Sequence, residues 1–267
     1  MKLIMLGTGN AITTECYNTC FIIEDEGRRL LVDGGGGNGL LHQLKRVHVD
    51  WRDLREIFVT HRHMDHIMGI MWMVRMICQG MRTGRYEGEA FIYGHEKVTQ
   101  AIVVMAGQLL TEKETAFIGD RLHLVTVSDG ESRIINGRKL TFFDIGSTKE
   151  KQFGFSMDMG DGKRLVCCGD EPCHACEEDY VRDCDWLLHE AFCLDSQADI
   201  YKPYEKHHST VKDACELAER LGVRHLVLYH TEDRTIEERK RLYKEEGSAY
   251  FSGGLYVPDD LETIELD

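Results

Sequence analysis

Three histidines and an aspartate fall within six residues, His61-Arg62-His63-Met64-Asp65-His66, directly after the apolar run Ile57-Phe58-Val59. Side chains alternate along a strand, so an extended run puts His61 and His63 on one side, where two imidazoles can grip one metal ion. Asp65 and His66 fall where the pattern turns helical, and they can reach a second ion beside the first. Imidazole together with carboxylate suits zinc or another first-row divalent metal. The alternative is a chance group of solvated histidines or a satisfied polar turn. Four ligand-type side chains at one strand-to-helix junction weigh against it.

A chain of 267 residues, 42% of them apolar, can bury a substantial core and fits a single domain over 1–267. No apolar run has the length needed to span a bilayer. Ten cysteines without a secretion signal favour reduced thiols, hence an expected cytoplasmic protein. The net charge of −14 argues against a broad nucleic-acid-binding surface, which needs clustered Lys and Arg.

Along the chain, residues 2–6 read as a strand followed by Gly7-Thr8-Gly9, a tight turn rather than a phosphate loop, since no third glycine and no Gly-Lys-Ser/Thr follows. A hairpin over 20–33 turns at Asp25-Glu26-Gly27. It ends in Asp33 and four glycines, which allow a close backbone approach, while Asp33 can orient a metal-binding histidine. A helix from Ile67 to Gly80 carries Met68, Met71, Met73 and Met76, spaced as core residues. Arg75, Arg82 and Arg85 form a local basic cluster, best explained as solvated helix charges. Further strands are expected at 90–93, 122–127, 140–145, 153–159, 164–168, 185–189 and 225–229. Thr210-x-x-Asp213 opens a helix that Gly222 ends, and a charged helix over 235–246 precedes a C-terminal strand pair. Such a succession fits two sheets packed together with helices outside, an α/β (α+β) chain.

The H-x-H-x-D-H pattern resembles the signature of the metallo-β-lactamase superfamily, which implies a four-layer αββα sandwich. Cys168-Gly169-Asp170 resembles the Gly-Asp motif whose aspartate bridges two metals, and Tyr229-His230-Thr231 the final strand-end histidine. His189-Glu190-Ala191-Phe192 and His208-Ser209-Thr210 resemble the His-Glu-Ala-Thr and His-Ser-Thr stretches of the ribonuclease Z branch, as do Leu6-Gly7-Thr8-Gly9 and Asp33. The similarity covers nearly the whole chain in the same order. It implies that His61, His63, Asp65, His66, Asp170 and His230 bind metal, with Asp33 supporting the histidines. It also implies that Glu190 pairs with His208, which protonates a leaving oxygen.

Two departures stand out. The family's further histidine is absent from Asp144-Ile145-Gly146-Ser147-Thr148-Lys149, where Gly146 or Thr148 takes its place. His61, His63 and Asp170 then form a three-ligand site, while Asp65, His66, Asp170 and His230 look complete. His174 reads as a surface histidine rather than a substitute ligand. Only fifteen residues separate Gly154 from Asp170, too few for the tRNA-gripping arm of bacterial ribonuclease Z. Cys173-His174-Ala175-Cys176 has metal or redox spacing but no partner pair.

The function expected is a metal-dependent hydrolase, a phosphodiesterase of ribonuclease Z-like type, holding one or two Zn²⁺ (or Mn²⁺/Fe²⁺) ions per chain. Asp65, His208 and Glu190 are its catalytic candidates. Its substrate is expected to be an anionic small molecule or short nucleic acid, with no stable tRNA complex and no membrane partner; a homodimer is left open. An ester, thioester or lactone hydrolase of the same fold is the alternative enzyme, and a degenerate metal-binding member the alternative outside catalysis.

Overall fold

The apolar runs of the first half of the chain become strands of one sheet, and the amphipathic stretches between them become the helices that cover it. The structure, a computed structural model, describes residues 1–267 and divides them into two units: 1–7, 17–128 and 261–267 in the first, 8–16 and 129–260 in the second.

In the first unit, β1 (Lys2–Gly7), β2 (Cys20–Asp25) and β3 (Arg28–Val32) pair antiparallel. Glu26 and Gly27, both at positive φ, form the two-residue turn whose twist matches the strands. After α1 (Gly39–Arg46) the sheet continues in parallel with β4 (Glu56–Phe58), β5 (Ala90–Gly94) and β6 (Leu122–Thr126), joined through α2 (Met64–Arg82), α3 (Glu96–Leu109) and the short α4 (Glu112–Thr115). Parallel neighbours need such crossovers, and these place apolar helix faces on the sheet. Leu40 and Leu44 of α1, Ile70, Met73, Val74 and Ile77 of α2, and Val98 and Ile102 of α3 share one core with Ile22, Leu31, Ile57 and Ile92. Met71 and Met73 are buried, as the core spacing predicts, Met68 and Met76 are only half-buried, and Arg75, Arg82 and Arg85 are exposed.

The glycine run after β3 does what its composition allows. Gly34 N donates to His66 O at 2.8 Å, and Gly69 N donates to Gly35 O at 2.9 Å. A Cβ on Gly69 would stand 1.8 Å from Gly34 O. Gly69→Ala must therefore push the loop off α2, and a loss of about 3 kcal/mol is expected, read as a fall in Tm. An unchanged Tm would contradict this packing.

The second unit holds another seven-stranded sheet. Its strands β7 (Ser132–Ile135), β8 (Arg138–Asp144), β9 (Phe153–Gly160) and β10 (Lys163–Cys167) run antiparallel. After the short α5 (Glu178–Val181), β11 (Trp186–Glu190) pairs parallel to β10. A short α6 (Ala198–Tyr201) and α7 (Val211–Arg220) lead to β12 (His225–Tyr229), and α8 (Ile236–Gly247) to β13 (Gly254–Tyr256), both joined in parallel. The capping box at Thr210 forms as read: Asp213 N donates to Thr210 Oγ1 at 3.2 Å, and Thr210 N to Asp213 Oδ2 at 2.9 Å. Asp161-Gly162, both at positive φ, turns β9 tightly into β10, in the interval where an arm would be inserted.

The C-terminal strands do not pair with each other. β13 joins β12, whereas the last strand, Thr263–Glu265, pairs with β1 in the first unit's sheet. Their short apolar patterns show that they are strands but not which edge each one meets. β7 and α4 carry too weak a pattern to be read in advance. No helix is long and apolar enough to cross a membrane.

Candidate active site

In the first unit, the chain leaves β4 extended and enters α2 with His63 as N-cap. His61 Nε2 and His63 Nδ1 lie 2.8 Å apart, so both imidazoles turn to one side, as period two requires. The His61 and His66 rings are 4.2 Å apart between centroids, and Asp65 Oδ2 is 3.3 Å from His66 Nε2. His61, Asp65 and His66 are buried; His63 is exposed.

Asp33 holds this cluster in place. Its Oδ2 lies 2.8 Å from His66 Nδ1, and its carboxylate accepts from Thr60 N at 2.8 Å and Thr60 Oγ1 at 2.7 Å. Thr60 Oγ1 in turn lies 3.0 Å from His61 Nδ1. A proton on His66 Nδ1 shared with Asp33 leaves Nε2 as the lone-pair nitrogen, the tautomer a metal ligand needs.

In the second unit the functional side chains gather at the carboxyl ends of three parallel strands, where such sheets present sites. Asp170 follows β10, Glu190 ends β11, and His230 follows β12. His230 Nε2 is 3.4 Å from Asp170 Oδ2. Gln152, buried, grips Asp170 twice: its Nε2 donates to Asp170 Oδ1 at 2.5 Å, and its Oε1 accepts from Asp170 N at 2.7 Å. Gly169 must be glycine, since its φ is +76° and a Cβ would sit 2.1 Å from Gln152 Oε1.

His208 Nδ1 stands 3.6 Å from Glu190 Oε2, an ion-pair distance, and its ring stacks on Phe192 with centroids 4.9 Å apart. Glu190 Oε1 accepts from Ser209 Oγ at 2.6 Å, which fixes the carboxylate. Burial pulls the His208 pKa down, but Glu190, with the charge of Asp170 behind it, outweighs burial and leaves it raised. A proton is therefore held more firmly here than on a free imidazole. His208 and His230 line a cleft of about 450 Å³ with Asn10, Phe192, Lys149 and Lys206. The adjacent His189 is a satisfied core histidine: Nδ1 meets Glu190 O at 2.6 Å, Nε2 accepts from Cys173 N at 3.0 Å, and burial lowers its pKa.

The donors in both clusters are imidazole nitrogens and carboxylate oxygens, the set that a first-row divalent ion takes. His61 Nε2 and His63 Nδ1 share one proton at 2.8 Å and turn two ring nitrogens to one side, a donor set that fits a metal.

Residues 1–251 match the family model for the Anti-Pycsar protein Apyc1. The chain belongs to that family. This Apyc1-family chain is also similar to the ribonuclease Z of Methanosarcina acetivorans, 26% identical over 100% of this chain and 98% of the relative. Among solved structures it is similar to the metallo-β-lactamase fold protein YhfI from Bacillus subtilis (TM-score 0.77, 18% identity, 99% of both chains). It is likewise similar to the human short-form tRNase Z, ELAC1 (TM-score 0.76, 21% identity, 100% of both chains). The fold is thus the metallo-β-lactamase α/β fold, in a ribonuclease Z-like member that binds divalent metal.

In this Apyc1-family chain the two candidates for the absent histidine are otherwise engaged. Gly146, at φ +75°, donates its N–H to Asp144 Oδ1, and Thr148 Oγ1 lies 3.4 Å from His207 Nδ1. His174 is half-buried, with its Nε2 3.7 Å from Glu171 Oε2. Gln152 is the functional residue that the sequence concealed: a single glutamine two residues before Gly154 carries no motif. Gln152→Ala frees Asp170 to rotate and should weaken metal binding roughly 10–100-fold, measured by chelator competition; unchanged affinity would assign Gln152 to packing alone.

Proposed function

We propose that this metal-dependent phosphodiesterase cleaves a small or single-stranded phosphodiester, with His208 donating the proton that releases the leaving oxygen. The proposal treats residues 1–267 as one hydrolase domain. His61, His63, Asp65, His66, Asp170 and His230 hold one or two ions, Zn²⁺ or alternatively Mn²⁺ or Fe²⁺. When bound, the metal polarises the phosphoryl group and makes water acidic enough to attack near neutral pH. Asp65 orients the attacking water and takes its proton. Glu190 aims the His208 ring and stabilises its charged form, and Asp33 keeps His66 and His61 in register.

The observation that carries this reading is His208, backed by the buried Glu190, on the wall of a cleft that also contains His230, Lys149 and Lys206. A held proton beside a metal ligand suits departure of an alkoxide, which must be protonated as it leaves. Two lysines against one carboxylate, Glu205, on that cleft suit an anionic substrate, although the chain as a whole is strongly acidic. The tight β9–β10 turn and the net charge of −14 both speak against a stable tRNA complex.

Parallel assays with a phosphodiester reporter and with ester, thioester and lactone reporters test the assignment. The phosphodiester should be turned over with the highest kcat/KM. Faster turnover of an ester or lactone would make the chain a carboxyl-ester hydrolase of the same fold. No turnover of any reporter by metal-loaded protein would favour a binding member that lost catalysis with its missing histidine.

A further inference from the structure

A second set of ligand-type side chains in the second unit takes no part in the roles assigned above. Cys168 follows β10 directly, Cys173 lies beyond Asp170 on the same loop, and Glu177 is the N-cap of α5. The two sulfurs and a Glu177 carboxylate oxygen all lie within 4.8 Å of one another. Cys168 and Glu177 are fully buried, and Cys173 is half-buried. Glu177 Oε1 accepts from His174 N at 2.7 Å, and the buried carboxylate also takes a side-chain hydrogen bond from Cys168.

A carboxylate costs several kcal/mol to bury unless something compensates its charge. Burial, then the Cys173 thiol, push the Glu177 carboxyl well above the ordinary range, and Glu171 nearby adds to the rise. Two thiols and an acid converging away from water are unfavourable as anions, and as neutral groups they are held only by weak sulfur hydrogen bonds, Cys168 to Cys173 and Cys168 to Glu177. A thiophilic divalent cation resolves both problems together, because it binds thiolate and carboxylate at once.

We propose that Cys168, Cys173 and Glu177 hold a structural zinc ion that is distinct from the hydrolytic centre. Both thiols lose their protons to solvent as the zinc–sulfur bonds form, Glu177 binds as carboxylate, and water takes the fourth position. The ion closes the loop from Cys168 to Cys173, which carries Asp170, and so stiffens the segment that presents that ligand. The Cys173–Cys176 spacing is not the one used: Cys176 is exposed, and its sulfur lies 3.4 Å from Ile145 O. The proposal does not depend on which substrate the hydrolytic centre takes.

Because the hydrolytic ligands are histidine and aspartate only, sulfur in the metal shell reports this site alone. The full chain, kept reduced and loaded with Co²⁺, should show a thiolate-to-cobalt charge-transfer band. Cys173→Ser should lose that band, while Cys176→Ser should keep it. Zinc-edge X-ray absorption of the unmutated zinc-loaded chain should likewise show sulfur ligands and needs no variant to fold. A zinc shell of nitrogen and oxygen alone would overturn the proposal, as would a band that survives in Cys173→Ser or vanishes in Cys176→Ser. The thiols would then be merely hydrogen-bonded.

Discussion

Asp170→Ala should lower kcat/KM for a phosphodiester reporter by about a thousandfold or more, since the loss of a metal's electrostatic contribution is worth several kcal/mol. The carboxylate follows β10, held between Gln152 and the neighbouring His230. Removing it takes away a proposed metal donor and leaves Gln152 Nε2 without its acceptor. That second effect costs about 1–3 kcal/mol of stability, so the variant should still fold, with a lower Tm. His63→Ala is the complementary test: the side chain is exposed, so activity should collapse with little change in Tm. Wild-type turnover in either folded variant would remove that residue from the ligand set.

The second large effect is a dependence on the leaving group. His208→Ala should slow release of an alkoxide by about a hundred- to ten-thousandfold, the range for a lost general acid. It should leave a nitrophenolate ester of the same phosphate nearly unaffected, because that leaving group departs without a proton. The loss should fall on kcat more than on KM. Glu190→Gln should give a smaller loss of the same selectivity, since it can still accept from Ser209 but no longer supports a charged His208. An equal loss on both substrates would mean that His208 binds substrate rather than protonating it.

Much of this was legible because the fold places its chemistry at strand ends, and strand ends are visible in a sequence. The apolar run before His61 fixed the side on which His61 and His63 converge, and the following periodicity fixed Asp65 and His66 at a helix start. Asp33 could be read as a histidine-orienting carboxylate because the glycine run after it demanded a close approach, which Gly34 and Gly69 make. The hidden parts depend on contacts between residues distant in the chain. Gln152 reaches Asp170 across eighteen positions, and nothing local to Gln152 announces this. The edge strands Gly254–Tyr256 and Thr263–Glu265 are three residues each, too short for their pattern to choose a neighbour. The Cys-x-x-Cys spacing points to Cys176, whereas Cys173 lies beside Cys168 and Glu177.

The most direct test of the central claim combines metal content and turnover in one titration. The full chain is stripped with a chelator, then titrated with Zn²⁺ or Mn²⁺ while bound metal and phosphodiester hydrolysis are followed together. The stripped chain should be inactive, and hydrolysis should return in step with the ions bound beyond the one held by Cys168, Cys173 and Glu177, in the native chain but not in Asp170→Ala. Undiminished hydrolysis by the metal-free chain, or metal binding at Asp170 and His230 that never brings hydrolysis, would contradict the account.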